Sequence, residues 1–487
     1  MSSIVETLIE KKMKEKKSSN LWNRALQNLQ IAWNKIASDN KLDNEIKLTP
    51  NLNQNDHKKI IKQMNACLEA RGGEVSARKR AATLGFAYLS LNDEGKKKFL
   101  TILSLEYGTD SVLIKKAIKS LFVTEKNDSQ NLFHAEQKLQ ESLKSPRVKL
   151  LQQFNALPDG IKFLVDMRSE LLLWKKEKPE LRGLENDLKL LLSGWFDVGF
   201  LELKQITWQA PASLLEKLFL YEAVHEIKDW GDLKNRLAAD RRCFGFFHPK
   251  MPEEPLIFVW VALVNGISAS VQSLLDENAP LGDAQIADTA VFYSISNAQS
   301  GLSGINFGNF LIKRVVDSLS KELPNIKAFA TLSPIPGFSS WFEKKMTEGK
   351  RVFSNSEQSK ILMEFTKTDT VEGAIKSIIQ NNHWYKDKHL VSLVREPLTK
   401  ICAEYLLLEK RESGTAFDSV AHFHLNNGAS MEQLNWMADT SLRGIDQSYG
   451  LMINYLYDVN LIESNHEIYR LGETIAASQT VKNLLKH

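Results

Sequence analysis

Residues 297 to 309 read Asn297-Ala298-Gln299-Ser300-Gly301-Leu302-Ser303-Gly304-Ile305-Asn306-Phe307-Gly308-Asn309. Gly301, Gly304 and Gly308 free the backbone to turn sharply and to approach a ligand closely. A β-branched and aromatic run, Ala290 to Ser296, precedes the loop and reads as a strand. Asn309 to Leu323 follows as a helix, with Ile312, Val316, Leu319 and Leu323 on one face and Pro324 as its stop. The start of such a helix offers unpaired N–H groups and the positive end of a dipole, so a strand–loop–helix of this kind can hold a pyrophosphate. Lys313 and Arg314 would add charge. The loop lacks the Gly-Lys-Ser/Thr of a Walker sequence, and its spacing is not that of a dinucleotide fingerprint. Glycine-rich turns are as often purely structural, so both readings stand on the loop alone.

Other residues able to do chemistry have plain structural readings. Ser333 precedes Pro334, which confines its backbone to an extended or turn shape; a lone serine there is usually a turn residue. His422 and His424 form a His-x-His pair with no third ligand nearby, so they read as core histidines rather than a metal site. Glu222 and His225 read as an i, i+3 contact on a helix. Cys67, Cys243 and Cys402 are far apart, with no Cys-x-x-Cys, and suit a reducing compartment. No Gly-x-Ser-x-Gly elbow marks a hydrolase. Trp195, Trp208 and Trp436 are most simply core.

The elements that would position these residues fall into two textures. The first ~190 residues read as nearly all helix. Asn92 can cap a helix whose first turn holds Asp93 and Glu94, and Phe99, Ile102, Leu103 and Tyr107 then share one face up to Gly108. Similar patterns recur over 58–71, 112–122 and 159–174. The polar stretch 175–180, containing Pro179, reads as a linker. From about residue 195 the pattern becomes mixed α/β. Ser213 to Glu216 fits a capping box opening a helix to about His225. Pro255–Val264 and Lys327–Leu332 read as further strands. No internal repeat is visible.

Bulk composition removes several classes. A net charge of +4 over 487 residues gives no case for a nucleic-acid-binding face. The longest strongly apolar run, Leu256 to Val264, is far short of the ~20 residues a membrane helix needs. The N-terminal stretch has no apolar signal core, and Glu6, Glu10 and Glu15 argue against a mitochondrial presequence. The final Leu484-Leu485-Lys486-His487 is not a peroxisomal tripeptide. The expectation is a cytoplasmic protein with no membrane and no nucleic-acid partner.

Beyond these readings, a set of blocks resembles the malonyl-CoA decarboxylase family. They are 290–296 with Gln299 to Ile305, Gly308 and 310–316; Thr331-Leu332-Ser333-Pro334-Ile335-Pro336-Gly337-Phe338; and Phe423-His424-Leu425-Asn426-Asn427-Gly428-Ala429 with 435–439, 441–444 and 450–452. Ser193 to Leu201 and Arg241 to Phe244 also match, and the resemblance runs from about Ser76 to the C-terminus. It implies an α+β chain: residues 1–190 a helical self-association domain, with 1–50 loosely ordered, and 191–487 a catalytic domain like the GNAT-type N-acetyltransferases. It implies a homo-oligomer, dimer or tetramer, formed through the helical domain. It places CoA on Gln299, Gly301 and the loop Ser303, Gly304, Ile305, Asn306, Phe307, Gly308 and Asn309. It makes Ser333 and His424 the catalytic pair. Some members carry a glutamate where this chain has Asn306, which can donate a hydrogen bond but cannot act as a base.

The implied reaction turns malonyl-CoA into acetyl-CoA and CO2, a step of fatty acid metabolism. The thioester carbonyl is itself the electron sink, so neither an organic cofactor nor a metal is expected. The enzyme must orient the carboxylate, hold the developing oxyanion with placed donors, and protonate the α-carbon. On this reading His424 supplies the proton and Ser333 orients His424 or the carboxylate. Asn306 or loop amides hold the thioester oxygen, and Tyr457 assists through its hydroxyl. Two other readings compete: a CoA-dependent acyltransferase, which would need an acceptor, and a non-catalytic acyl-CoA-binding scaffold, which would leave its ligand unchanged.

Overall fold

The computed structural model describes residues 29, 31–33, 36, 48–69, 73–123, 129–305, 310–348, 357–472 and 474–486. The stretch expected to be loosely ordered, 1–50, lies for the most part outside the described residues. The chain divides into two compact units: Met1–Leu201 with His248–Pro252 and Gln299–Asn306, and Glu202–Phe247 with Glu253–Ala298 and Phe307–His487.

The first unit is helical: α1 (Gln54–Leu68), α2 (Gly73–Leu89), α3 (Asp93–Leu105), α4 (Ser111–Val123), α5 (Ser129–Ser142), α6 (Pro146–Asn155), α7 (Gly160–Trp174) and α8 (Arg182–Trp195). α3 forms as its sequence requires. The Asn92 side chain accepts the Gly95 N–H at 2.9 Å, and Phe99, Ile102, Leu103 and, just past the helix, Tyr107 are buried. The helix stops at Leu105, ahead of Gly108. The stretch 175–180 is not a linker between units. Pro179–Leu181 is one 3-10 turn joining α7 to α8, and Leu181 is buried. α4 has the expected helical period but buries only Ala117 among its residues, leaving Val112, Phe122 and Val123 exposed.

The second unit is built on an eight-stranded sheet: β1 (Glu202–Ile206), β2 (Arg241–His248), β3 (Met251–Val264), β4 (Thr289–Asn297), β5 (Ala328–Thr331), β6 (Ser333–Pro334), β7 (Ser430–Asn435) and β8 (Met452–Leu456). Its helices are α9 (Ala212–Tyr221), α10 (Trp230–Arg236), α11 (Val271–Leu274), α12 (Phe310–Glu322), α13 (Phe338–Thr347), α14 (Glu357–Thr366), α15 (Val371–Ile379), α16 (Lys388–Leu407), α17 (Ser419–Asn426), α18 (Leu442–Ser448), α19 (Ile462–Arg470) and α20 (Gln479–Asn483). The strand order is β1-β2-β3-β4-β5-β8-β6, with β7 also on β8. β3 and β4 are antiparallel and slip register at Trp260/Val261. β4 and β5 are parallel, which demands a long crossover, and α12 provides it. They share four register pairs, from Thr289↔Ala328 to Phe292↔Thr331, and then part: β4 runs on beside β3, while the other chain, already paired with β8 at Ala330, continues along β8 as β6. A helical unit followed by a mixed-sheet unit is the α+β class expected from the sequence. The three strands read from sequence all form. β1, β2, β6, β7 and β8 were not foreseen.

One face of the sheet packs Phe247, Phe258, Trp260, Val291 and Met452 against Leu215 and Leu218 of α9 and Leu233 of α10. Full burial of each such side chain stabilises the fold by about 1.5–3 kcal/mol. α9 departs from expectation at both ends. Pro211, not Ser213, stands at its N-cap, and the helix ends at Tyr221 because Glu222 takes an extended backbone. Glu222 is buried. Its Oε1 accepts the amides of Val224 (2.8 Å) and His225 (2.9 Å) and the Ser294 hydroxyl (2.8 Å), and its Oε2 accepts the Trp260 indole N–H (2.8 Å). Glu222 and His225 are therefore not neighbours on a helix face. Among the described residues no helix is long and apolar enough to cross a membrane. Cys67, Cys243 and Cys402 are buried and unpaired, and burial pushes the Cys67 thiol up to about 12.

Replacing Glu222 by Gln turns an NH2 group toward donors that now meet a carboxylate oxygen. We expect a loss of about 1–3 kcal/mol, read as a lower thermal midpoint with unchanged secondary structure at room temperature.

Candidate active site

Thr331 ends β5, and two residues later Ser333 begins β6, paired with Ile453 of β8. In an extended chain residues i and i+2 point to the same side. The Ser333 hydroxyl accordingly donates to Thr331 Oγ1 at 2.8 Å, and the Tyr455 amide of β8 donates to that same oxygen at 3.1 Å. Pro334 helps hold Ser333 extended, as its position in sequence implies.

His424 arrives on α17. Asp418 caps this helix, its Oδ1 accepting the Val420 and Ala421 amides at 2.9 Å each. Six residues on, in the last turn, His424 places Nε2 3.0 Å from Ser333 Oγ. Its Nδ1 lies 2.8 Å from the Tyr457 hydroxyl, just beyond β8, and its ring lies over that of Tyr455 at 4.5 Å between centroids. The Tyr457 amide is itself fixed on the Phe329 carbonyl of β5 at 2.8 Å. Thr331, Ser333, His424 and Tyr457 are all buried, His424 at 2% exposure.

The network assigns the protons. Ser333 spends its single hydrogen on Thr331, so Ser333 Oγ accepts from His424 and the imidazole carries its proton on Nε2. Nδ1 is then the acceptor for Tyr457, whose phenol burial pushes well above its ordinary value and keeps protonated. Burial likewise lowers His424 from 6.5 to about 3, so the ring is neutral at physiological pH. A neutral imidazole between two hydroxyls, with one N–H aimed at a serine oxygen, can pass a proton along the line once an anion arrives to favour its charged form.

Of the residues expected in the site, Ser333, His424 and Tyr457 thus meet. Gln299, Gly301, Ser303, Gly304 and Ile305 belong to the helical unit. There the buried Arg168 of α7, paired with Glu185 of α8 at 2.8 Å, donates to the carbonyls of Gly301 and Ser303. A Cβ at Gly301 would stand 1.8 Å from the Val165 carbonyl oxygen, so that position requires glycine, and Gly304, at φ +71°, sits in the left-handed region that favours it. Asn306, Phe307, Gly308 and Asn309 lie outside the described residues. His422 Nδ1 meets the Tyr469 hydroxyl at 2.8 Å, so the two rings of the His-x-His pair serve different partners. Among the described residues no group of three or more His, Cys, Asp or Glu could hold a metal ion.

Sequence reasoning missed Thr331, Tyr455, Asp418 and Arg168. A signal existed for Thr331, at i−2 from Ser333 on a strand, and for Arg168, a cation set among the apolar residues Leu164, Val165 and Leu171.

A family model described as the malonyl-CoA decarboxylase C-terminal domain matches residues 199–487, and one described as the N-terminal domain matches 107–196. The mitochondrial malonyl-CoA decarboxylase of Anser anser anser is 39% identical over 421 residues, 83% of each chain. That of Rattus norvegicus is 40% identical over 367 residues, 73% of this chain and 74% of that one. The malonyl-CoA decarboxylase crystal structures from Rhodopseudomonas palustris and Agrobacterium vitis superpose with TM-scores of 0.78 and 0.79. Each is 38% identical and covers 88% of this chain, with 99% and 100% of their own chains matched.

The buried imidazole has a stability signature. His424 stays neutral in the fold but takes up a proton near 6.5 once exposed. Its contribution is thus complete above pH about 6.5 and is lost as pH falls toward about 3. Thermal melts over that interval should fall more steeply for the parent than for His424→Gln; parallel slopes would contradict the assignment.

Proposed function

The chain belongs to the malonyl-CoA decarboxylase family, carboxy-lyases that turn malonyl-CoA into acetyl-CoA and CO2, and on that premise we propose that Ser333, His424 and Tyr457 deliver the proton this reaction consumes. The observation that carries the reading is the unbroken line of hydrogen bonds from Thr331 through Ser333 and His424 to Tyr457. The Ser333 hydrogen turns from Thr331 to the malonyl carboxylate and orients it. That anion raises the proton affinity of the adjacent imidazole, which takes one proton from solvent. The C–C bond breaks, its electron pair enters the thioester carbonyl, and CO2 leaves. The enolate carbon then takes a proton through Ser333 Oγ, which His424 Nε2 refills, so one proton is consumed per CO2 released. The proton gained from solvent sits on Nδ1, where the Tyr457 hydroxyl turns from donor to acceptor.

The same proposal keeps CoA on Gln299, Gly301 and Ser303–Asn309, with Asn306 or loop amides on the thioester oxygen. It is supported by the order of strand, glycine-rich loop and helix in the chain. No organic cofactor or metal enters, because the thioester stabilises the carbanion. The three unpaired thiols support a cytoplasmic site of action.

His424→Asn should lower kcat for CO2 release by about 10²–10⁴-fold, the usual worth of a placed general acid, with a far smaller change in KM. Turnover close to the parent's would remove His424 as the proton source. Mass analysis of malonyl-CoA incubated with the purified chain and no amine acceptor separates this reading from acyl transfer.

Self-association through the helical domain, 1–190, is the second part of the proposal. It is supported by the uncovered face of α4, where Phe122 is 84% and Val123 75% exposed. Large apolar side chains grouped this way mark contact surfaces. Phe122→Asp with Val123→Asp should lower the mass measured by analytical ultracentrifugation while leaving the helical content intact; an unchanged mass would discard this face.

A further inference from the structure

Ser333 and His424 lie 91 residues apart in sequence and meet across 3.0 Å. A misplacement of about 1 Å in such a pair can lower a rate on the order of 10²-fold. Their own bond is one neutral contact, worth about 0.5–1.5 kcal/mol, which does not by itself fix two chain segments. Something behind the pair must set their separation.

The segment that carries Ser333 runs through Pro334, Ile335 and Pro336 and turns at Gly337 into α13, while the segment that carries His424 is α17. Asp418, 2% exposed, touches both. Its Oδ1 receives the Val420 and Ala421 amides that open α17. Its Oδ2 receives the Tyr405 hydroxyl of α16 at 3.2 Å, and the Gly337 amide also hydrogen-bonds to the carboxylate. Gly337 packs so closely here that a Cβ would stand 2.3 Å from Tyr405 Oη and 3.5 Å from Asp418 Oδ2.

We propose that Asp418 is a positioning residue that sets the Ser333–His424 distance by binding the turn after Ser333 and the first turn of the His424 helix to one carboxylate. The inference rests on the proposed roles of Ser333 and His424. Capping alone does not explain the residue type. Asparagine caps a helix about as well as aspartate, and a buried carboxylate is costly to keep charged; burial indeed raises the Asp418 carboxyl above its ordinary value despite its donors. What only the carboxylate provides is two acceptor oxygens, one for α17 and one for the Gly337–Tyr405 side. In asparagine the second position is an NH2 group facing two donors.

Asp418→Asn keeps the cap and inverts the second contact. Tyr405→Phe keeps the carboxylate and removes one of its donors. Each should be assayed for thermal midpoint and for kcat and KM with malonyl-CoA, alone and combined with His424→Asn. We expect kcat to fall at least about tenfold in Asp418→Asn and severalfold in Tyr405→Phe, with KM little changed. The combination with His424→Asn should be no slower than His424→Asn alone, since the misplaced partner is already gone; a purely structural defect would add to it. A folded Asp418→Asn with parental kcat, or a double variant whose losses multiply, overturns the proposal. If Asp418→Asn does not fold, Tyr405→Phe decides, and a parental kcat there overturns it. Parental turnover in His424→Asn, by contrast, would sink the catalytic pair itself and not the coupling through Asp418.

Discussion

An imidazole held neutral by burial is the constraint around which the sheet unit is organised. His424 has lost nearly all contact with water, and both of its nitrogens are committed, one to an alcohol and one to a phenol. Leaving either nitrogen unpaired in that setting would cost about 1–3 kcal/mol, so the surrounding segments must converge. β5 and β6 bring Thr331 and Ser333, α17 brings the ring, and the end of β8 brings Tyr457.

β8 does much of that gathering. One of its edges pairs with β5 and β6 in a single register, from Ala330↔Leu456 to Pro334↔Met452, and its other edge pairs with β7. Its backbone supplies the Tyr455 amide to Thr331, and its Tyr455 ring lies against the imidazole. Asn454, fully buried, donates to the Thr331 carbonyl at 2.7 Å and to that of Ser268 at 3.0 Å, and accepts from Asn435 of β7. A single short strand therefore fixes the hydroxyl end of the network through its backbone and a side-chain amide, and lays an aromatic face on the imidazole.

Elements governed by local periodicity were legible in the sequence. α3 with its Asn92 cap, α12 with its Pro324 stop, and β3, β4 and β5 all follow from spacing that the chain displays within one window. What long-range hydrogen bonds decide was not legible. α9 ends at Tyr221 because Glu222 is claimed by donors as distant as Trp260 and Ser294, and nothing near residue 213 announces that. Ser333 and His424 read as a turn serine and a core histidine until a family resemblance joined them, since a contact spanning 91 residues leaves no periodic trace. Asp418 is a plain cap in the sequence; its second task depends on Gly337 and Tyr405, neither of which lies beside it in the chain.

The loop from Gln299 to Ile305 carries a different implication. Its glycine at 301 is dictated by a carbonyl of α7, and its carbonyls are held by Arg168 of the same helix. A segment encoded within the sheet-forming half thus owes its shape to residues encoded well over a hundred positions earlier. The two halves are for that reason poor building blocks for exchange. A chimera joining this sheet unit to a foreign helical partner would inherit the loop's letters without the surface that gives them a conformation.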